Sequence, residues 1–243
     1  MKKFLSVLIF AMLCTGVTAF AQTNTQSVTV MPSQYQIASS GSKLYLVPVS
    51  TSLPVSTSTY TSQTLQNLMT AITGEVTANA KYIAFSNQAA KEGYTGVAGV
   101  FRAISDAELK HAQDEFKVVQ SMNPSAVMPK PESFTVGTTK ENLQAAIDGE
   151  SYEYTTMYPT FAAQALKENN AGARNIFTLA RLAEQKHASI YADLLKNIDN
   201  FDTVKYGTIY RCPDCGNIIT RLRPEACNIC GNGGATLVEY KII

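Results

Sequence analysis

Residues 108–111 read Glu-Leu-Lys-His, and residues 184–187 read Glu-Gln-Lys-His. They contain the only two histidines of the chain, and each histidine follows a glutamate by three positions. Residues three apart lie on one face of an α-helix. The two motifs therefore predict two helices that each turn a carboxylate and an imidazole toward one site.

Two further glutamates lie among apolar or small residues, Glu75 in Thr-Gly-Glu-Val and Glu150 in Ile-Asp-Gly-Glu. One glutamate from each of two helices, with Glu-x-x-His from each of two others, is the known pattern of a di-iron carboxylate bundle. Crowded carboxylates are costly to bury unless cations neutralise them. Oxygen ligands with one imidazole per metal favour iron or manganese, and iron is the redox-active choice. The alternative is a solvated helix face with incidental histidines.

Apolar residues at helical spacing predict a first helix over residues 64–92 and a second over 95–122, joined by a short turn at Gly93. Three prolines within residues 123–137 exclude a continuous helix there and predict a long connection.

A capping box, Thr138-x-x-Glu141, predicts the start of a third helix that runs to about residue 168 with a kink at Pro159. A fourth helix is predicted to end near residue 197. Short, long and short connections are typical of a ferritin-like four-helix bundle, which we place at residues 63–200.

Residues 205–243, here called the cysteine domain, contain two Cys-x-x-Cys motifs that are each followed by glycine. Strand-like segments flank them at residues 208–210 and 236–240. The paired motifs predict a tetrahedral metal site; its four ligands are Cys212, Cys215, Cys227 and Cys230. Iron would make the domain rubredoxin-like and able to pass one electron, whereas zinc would make it a structural ribbon. Disulfides are a third interpretation, because the chain is expected to be exported.

The export prediction comes from residues 1–21, where two lysines, an apolar run and Ala-Phe-Ala form a secretory signal peptide. The run is too short for a permanent membrane anchor, so we expect no stable membrane insertion and a periplasmic or secreted protein. Cleavage would remove two of 20 basic residues and none of 19 acidic ones, a net charge of −1 that does not suggest nucleic acid binding. Residues 22–62 are rich in Ser and Thr, and the two interpretations are a short strand pair and a tether; the polar composition favours a flexible extension or linker over a packed domain.

The run Gly-Glu-Ser-Tyr-Glu-Tyr-Thr-Thr-Met-Tyr-Pro-Thr-Phe-Ala at residues 149–162 resembles the third-helix signature of the rubrerythrin family. Its Glu153 follows Glu150 by three positions, a second glutamate that plain ferritin-like sites lack. Residues 91–93 and 108–112 are also similar to rubrerythrin segments, and the resemblance covers about residue 65 to the C-terminus. It implies a mainly α-helical, ferritin-like bundle followed by a small β-rich, rubredoxin-like domain.

The resemblance also implies roles for the site residues. Glu108 and Glu184 would bridge two irons, Glu150 and His187 would hold one iron, and Glu75 would hold the other. His111 and Glu153 would compete for that second iron, with the carboxylate favoured in the oxidised state because ferric iron is the harder ion. Tyr82 and Tyr158 resemble family tyrosines that hydrogen-bond the ligand carboxylates, although core packing alone would also explain them.

By the same resemblance, the chain would be a peroxide reductase that acts on hydrogen peroxide in oxidative-stress defence. An unknown electron donor would reduce it through a four-cysteine iron, and the family implies a head-to-tail homodimer. Two alternatives stay open: a ferroxidase that oxidises Fe(II) at the same site, and an exported, non-catalytic metal-binding protein with zinc in the cysteine domain.

Overall fold

A computed structural model describes residues 35–40, 43–48, 62–201, 203–220 and 222–242. The expected signal peptide lies outside these described residues. The chain divides into two compact units, residues 1–59 and 60–243. In the first unit, β1 (Tyr35–Ser40) pairs antiparallel with β2 (Lys43–Pro48), which is the strand pair that was one of the two expectations for this region.

The second unit contains the helical bundle that the sequence predicted. Its long helices pack in two pairs, α1 with α2 and the third predicted helix with the fourth. The bounds are α1 (Gln63–Lys91), α2 (Thr95–Met122), α3 (Thr139–Tyr152), α4 (Tyr158–Lys167) and α5 (Ala171–Lys196), followed by a short α6 (Thr203–Tyr206). The long connection between α2 and α3 confirms the ferritin-like order of short, long and short links. Among the described residues, no helix has the length and apolar character needed to cross a bilayer.

Local sequence explains where these helices begin and end. The Thr138 side chain accepts a hydrogen bond from the backbone N–H of Glu141, and the Glu141 carboxylate accepts from the Thr138 backbone, so the predicted capping box is present. Asn170 caps α5 through Ala173 in the same way. Gly93, with φ of +86°, makes the turn between α1 and α2 that a residue with a Cβ would adopt only under strain.

The predicted disruption at Pro159 takes a form that the sequence did not indicate. Residues Glu153–Met157 make a π-helix between α3 and α4, just before the proline. Proline offers no backbone N–H and its ring crowds the preceding turn, so the helix widens there and continues beyond it. Glu153 is the first residue of this wider turn.

Buried charge separates two apolar regions of the bundle core. One region contains the aromatic cluster of Tyr82, Phe85, Phe101 and Tyr191, whose neighbouring ring centroids lie 5.0–6.1 Å apart. The other contains Ile72, Tyr158 and Phe177 among its members. Along each helix, the glutamates and histidines of the predicted site fall between residues of these two regions.

The cysteine domain is a three-stranded antiparallel sheet in the order β4-β3-β5, built from β3 (Thr208–Arg211), β4 (Ile218–Thr220) and β5 (Val238–Lys241). Ile209 and Ile218 are fully buried and belong to the same core cluster as the bundle aromatics. Apolar burial therefore holds this domain against the bundle of its own chain.

Candidate metal centres

The bundle gathers two groups of ligand atoms, and within each group the atoms lie within 4.8 Å of one another. One group is Glu75, Glu108, His111 and Glu184; the other is Glu108, Glu150, Glu184 and His187. We call these six residues the di-metal site. Glu108 and Glu184 belong to both groups, which is the placement that bridging carboxylates require.

The histidine geometry is nearly the same on both sides of the site. His111 Nδ1 lies 2.7 Å from Glu184 Oε1 and 3.4 Å from Glu108 Oε2. His187 Nδ1 lies 2.7 Å from Glu184 Oε2 and 3.2 Å from Glu108 Oε1. The two imidazole rings are stacked with centroids 6.0 Å apart. Each bridging glutamate thus turns one oxygen toward each histidine.

The inner atoms of the site are buried, and none of them has a hydrogen-bond partner in the described part of the chain. They are one oxygen each of Glu75 and Glu150, both oxygens of Glu108 and Glu184, and Nδ1 of both histidines. Each such buried group would cost about 1–3 kcal/mol if it stayed unsatisfied. Because these atoms point into one space and are all metal-ligand types, two divalent cations fit the residues present.

The pKa shifts describe the same crowding of charge. Burial, and then the charges of Glu184 and Glu108, raise the pKa of Glu75 well above its usual value. Burial and the same two carboxylates raise the pKa of Glu150. Burial lowers the pKa of His187, but the carboxylates of Glu184 and Glu108 outweigh it and raise that pKa to about 9. Protons therefore occupy the metal-free site in place of cations.

Glu153 lies outside both ligand groups. It is partly exposed, on the π-helix, and one of its oxygens lies 3.8 Å from the position that a Cβ on Gly74 would take. Burial, and then the charge of Glu184, raise the pKa of its carboxyl group. Its exchange with His111 for one metal stays a prediction.

Both predicted tyrosines contact ligand carboxylates. The Tyr82 hydroxyl donates to Glu150 Oε1 at 2.6 Å, and the Tyr158 hydroxyl donates to Glu75 Oε1. Hydrogen bonds of this kind fix the orientation of a metal-binding carboxylate.

One buried glutamate was missed by sequence reasoning. Glu115 is fully buried, and its Oε1 lies 3.0 Å from the Tyr158 hydroxyl. It follows His111 by four positions. Residues three or four apart share one helix face, so the rule that identified Glu108 could also have drawn attention to Glu115. A single glutamate at that spacing is common on solvated helix faces, and only the partner from α4 distinguishes this one.

The four cysteines of the cysteine domain form a second centre. The Sγ atoms of Cys212 and Cys230 are 3.5 Å apart, and those of Cys215 and Cys227 are 3.6 Å apart. Sulfurs at about 2.3 Å from a tetrahedral metal would be separated by about 3.8 Å, close to these distances. All four are free thiols, so the described structure favours a metal site over disulfides. The hydrogen bond from Cys215 lowers the pKa of Cys212 to about 5, which favours a thiolate ligand.

The two centres are in direct contact through the first cysteine motif. His111 Nε2 lies 3.0 Å from the carbonyl oxygen of Cys215, and His187 Nε2 lies 3.3 Å from that of Gly216. A carbonyl oxygen only accepts, so both Nε2 atoms carry the proton. In a neutral imidazole with this tautomer, Nδ1 carries the free lone pair that binds a metal.

Known proteins are similar in sequence to most of this chain. The sequence model described as Rubrerythrin matches residues 66–195. The nigerythrin of Nitratidesulfovibrio vulgaris is 38% identical over 177 residues, which cover 73% of this chain and 86% of nigerythrin. Rubrerythrin-1 of Clostridium acetobutylicum is 36% identical, covering 69% of this chain and 89% of that protein.

Solved structures give the same result. A fully reduced, all-ferrous structure of nigerythrin matches with a TM-score of 0.69 and 37% identity, covering 73% of this chain and 86% of that one. The bacterioferritin of Mycobacterium tuberculosis matches with a TM-score of 0.52 at 20% identity, covering 56% of this chain and 86% of that chain, and supports the ferritin-like fold alone.

Proposed function

Because the chain belongs to the rubrerythrin family of di-iron oxidoreductases, we propose that it reduces hydrogen peroxide to water at the di-metal site. In this proposal, electrons arrive through an iron held by the four cysteines.

The observation that carries the proposal is the contact between the two centres. The carbonyl oxygens of Cys215 and Gly216 accept from the Nε2–H groups of His111 and His187. A ligand cysteine of one centre is thereby joined to a ligand histidine of the other by a single hydrogen bond. Such a connection suits a redox centre that serves the di-metal site, whereas a purely structural zinc ribbon would not need it.

The residues of the chain then perform three tasks. Glu108 and Glu184 hold the two metals close together, while the backbone carbonyls of the first cysteine motif keep both histidines in the tautomer that binds metal. The aromatic and aliphatic clusters on either side exclude bulk water. When bound, two ferrous ions supply the two electrons that peroxide reduction requires.

Rapid mixing tests the proposal. The fully reduced protein is mixed with hydrogen peroxide or with oxygen at equal concentrations, and oxidation is followed by absorbance in a stopped-flow instrument. We expect oxidation by peroxide to be much faster. Oxidation no faster than with oxygen would contradict a peroxide reductase, and competition by added Fe(II) would instead support the ferroxidase.

Metal analysis tests the role of the cysteine domain. We expect iron in the four-cysteine centre, with visible absorption that bleaches on reduction. Zinc there, with normal peroxide reactivity at the di-metal site, would contradict electron delivery through this domain.

We also propose that the active form is a head-to-tail homodimer, in which the cysteine domain of one chain would make with the di-metal site of its partner the contact that the structure shows within a single chain. Mixing two inactive variants tests this: Glu108→Ala disables the di-metal site, and Cys215→Ser disables the four-cysteine centre. After refolding together, mixed dimers should regain steady-state activity if the contact is between chains. No recovery in a stable mixed dimer would mean that each chain serves its own site.

Export is the last part of the proposal, and it rests on the sequence of residues 1–21. Expression of the full chain in a bacterial host should give a periplasmic product that begins at residue 22, as measured by mass spectrometry. A cytoplasmic product of full length would contradict it.

A further inference from the structure

Glu115 is a buried acid that neither ligand group includes. It lies one helical turn beyond His111 on α2, and no part of its surface is exposed. A carboxyl group in such a place is costly unless it is neutral or well paired. Among the residues that the structure describes, the only side chain within hydrogen-bond distance of it is Tyr158, through Glu115 Oε1.

The hydroxyl of Tyr158 stands between two carboxyl groups, Glu75 on one side and Glu115 on the other. A hydroxyl has one proton, so it can donate to only one of them. Glu75 belongs to the di-metal site and is ionised when it binds a cation, so it accepts the hydrogen bond that the Tyr158 hydroxyl donates. The remaining contact is a hydrogen bond only if Glu115 is protonated and donates to the Tyr158 oxygen.

The surroundings of Glu115 agree with a neutral acid. Burial raises the pKa of Glu115 to about 8, although His111 and Tyr158 act in the opposite direction. Glu184 and Asp114 add further negative charge nearby. Burial thus agrees with the hydrogen-bond geometry, in which Glu115 is the protonated partner of Tyr158.

Glu115 lines a small cavity beside α2. Its second oxygen, Oε2, is buried and has no hydrogen-bond partner among the described residues. The cavity of about 10 Å³, room for roughly one water, is lined by Glu115, Asp114 and the exposed Asp214. A water there would lie among Glu115, Asp114 and Asp214, which are all proton-carrying groups.

We propose that Glu115 is a positioning residue that relays protons from this cavity, through Tyr158, to the di-metal site. A proton enters at Glu115 Oε2 while the proton on Oε1 passes to the Tyr158 oxygen. Tyr158 releases its own proton on the side of Glu75, so each proton that enters is matched by one that leaves. The inference rests on the proposed peroxide reduction, in which H2O2, two protons and two electrons give two waters. The electrons come from two Fe(II), which become Fe(III).

Infrared spectroscopy tests the protonation of Glu115 without any turnover. The metal-loaded protein should show a carboxylic acid C=O band that shifts in D2O and is absent in Glu115→Gln. The amide of glutamine keeps the volume and can still donate to Tyr158, but it has no acidic proton to pass on. Wild-type protein without such a band, or a band unchanged in the variant, overturns the proposal.

Stopped-flow oxidation of the reduced protein by peroxide, in H2O and in D2O, tests the relay itself. We expect Glu115→Gln to keep wild-type metal content and melting temperature but to react at least about tenfold more slowly. This decrease is smaller than the ~100-fold or more expected for the loss of an acid that acts directly on substrate. Its solvent isotope effect should rise as well. Glu132→Gln, an exposed change in the crossover, is the matched control and should react like wild type.

The outcomes separate the relay from the proposed function. If the wild type reacts with peroxide and Glu115→Gln reacts at the same rate with the same isotope effect, the relay alone is overturned. No peroxide reactivity in the wild type overturns the proposed function and the relay with it. If Glu115→Gln does not fold, Tyr158→Phe breaks the next link and must slow the reaction and alter the isotope effect, and a wild-type rate in that variant overturns the relay.

Discussion

Gly216 lies directly against the imidazole of His111: a Cβ added to the glycine would overlap His111 Nε2. The glycine also has φ of +72°, a conformation that strains other residues. Both features belong to the turn that brings the Cys215 carbonyl to the histidine. The close approach of the two metal centres therefore depends on the absence of one methyl group.

We predict that Gly216→Ala separates the cysteine domain from the di-metal site. Electron transfer between the centres, measured by stopped-flow reduction of the oxidised protein, should slow by at least about tenfold, because a lost ligand-supporting contact typically costs 10–100-fold. Gly231→Ala is the matched control. Gly231 has nearly the same φ, +77°, but a Cβ there meets nothing within 4 Å.

The positive φ should cost both variants about 1–2 kcal/mol of stability, and Gly216→Ala should lose more because of its overlap with His111. Only Gly216→Ala should change the kinetics. Equal electron-transfer rates in the two variants would mean that the contact with His111 does not carry electrons.

How much of this site the sequence could predict depends on how local each relationship is. Glu108 and His111 are three residues apart on one helix, so their shared face follows from helix geometry alone. The contact of His111 with Cys215 spans 104 residues and depends on how the cysteine domain packs on the bundle. No spacing rule expresses that relationship.

Glu115 and Glu153 show the same limit. Glu115 was overlooked because its partner Tyr158 comes from another helix, 43 residues along the chain. Glu153 was identified by resemblance, but the structure places it on a π-helix and outside both ligand groups. A widened turn has no sequence pattern comparable to a capping box, so the proline predicted only that the helix would be disturbed.

We predict that Tyr82→Phe weakens metal binding by about 10–100-fold, the usual effect of removing a group that orients a ligand. Its hydroxyl donates to Glu150 Oε1 at 2.6 Å, and phenylalanine would leave that oxygen without the bond. Tyr191→Phe is the control, since the buried Tyr191 hydroxyl has no hydrogen-bond partner among the described residues and packs 5.4 Å from Tyr82. Competition with a chelator measures the metal affinity of both variants. A control variant that loses as much affinity would point to aromatic packing instead.

We predict that metal removal destabilises the protein increasingly as pH rises from about 5 to 9. The folded-state pKa of Glu75 and of Glu150 lies well above the usual value for a glutamate, and that of His187 lies near 9, above the usual value for a histidine. The folded metal-free protein therefore binds more protons than the unfolded chain, so its stability falls as pH rises through these pKa values. The pKa of Glu108 is lowered in the folded protein, so this group makes stability fall as pH decreases. That effect is confined to acidic pH.

Cations replace those protons in the loaded protein, so its stability should not fall in the same way. Melting temperatures of the metal-free and zinc-loaded proteins, measured across this pH range, check the prediction. A constant difference between the two forms would show that the carboxylates are not held protonated by burial.

The last prediction separates the two glutamates of the third-helix signature. Glu150 belongs to a ligand group with His187, whereas Glu153 lies outside both groups on the π-helix. Under anaerobic conditions, Glu153→Ala should therefore still bind two Fe(II) at the di-metal site, and Glu150→Ala should lose one of them. Iron analysis after removal of loosely bound metal gives the count, and Glu132→Gln serves as the unaffected control. If Glu153→Ala loses iron as readily as Glu150→Ala, then Glu153 is a ligand in the reduced state, and an exchange between His111 and Glu153 would have no redox dependence.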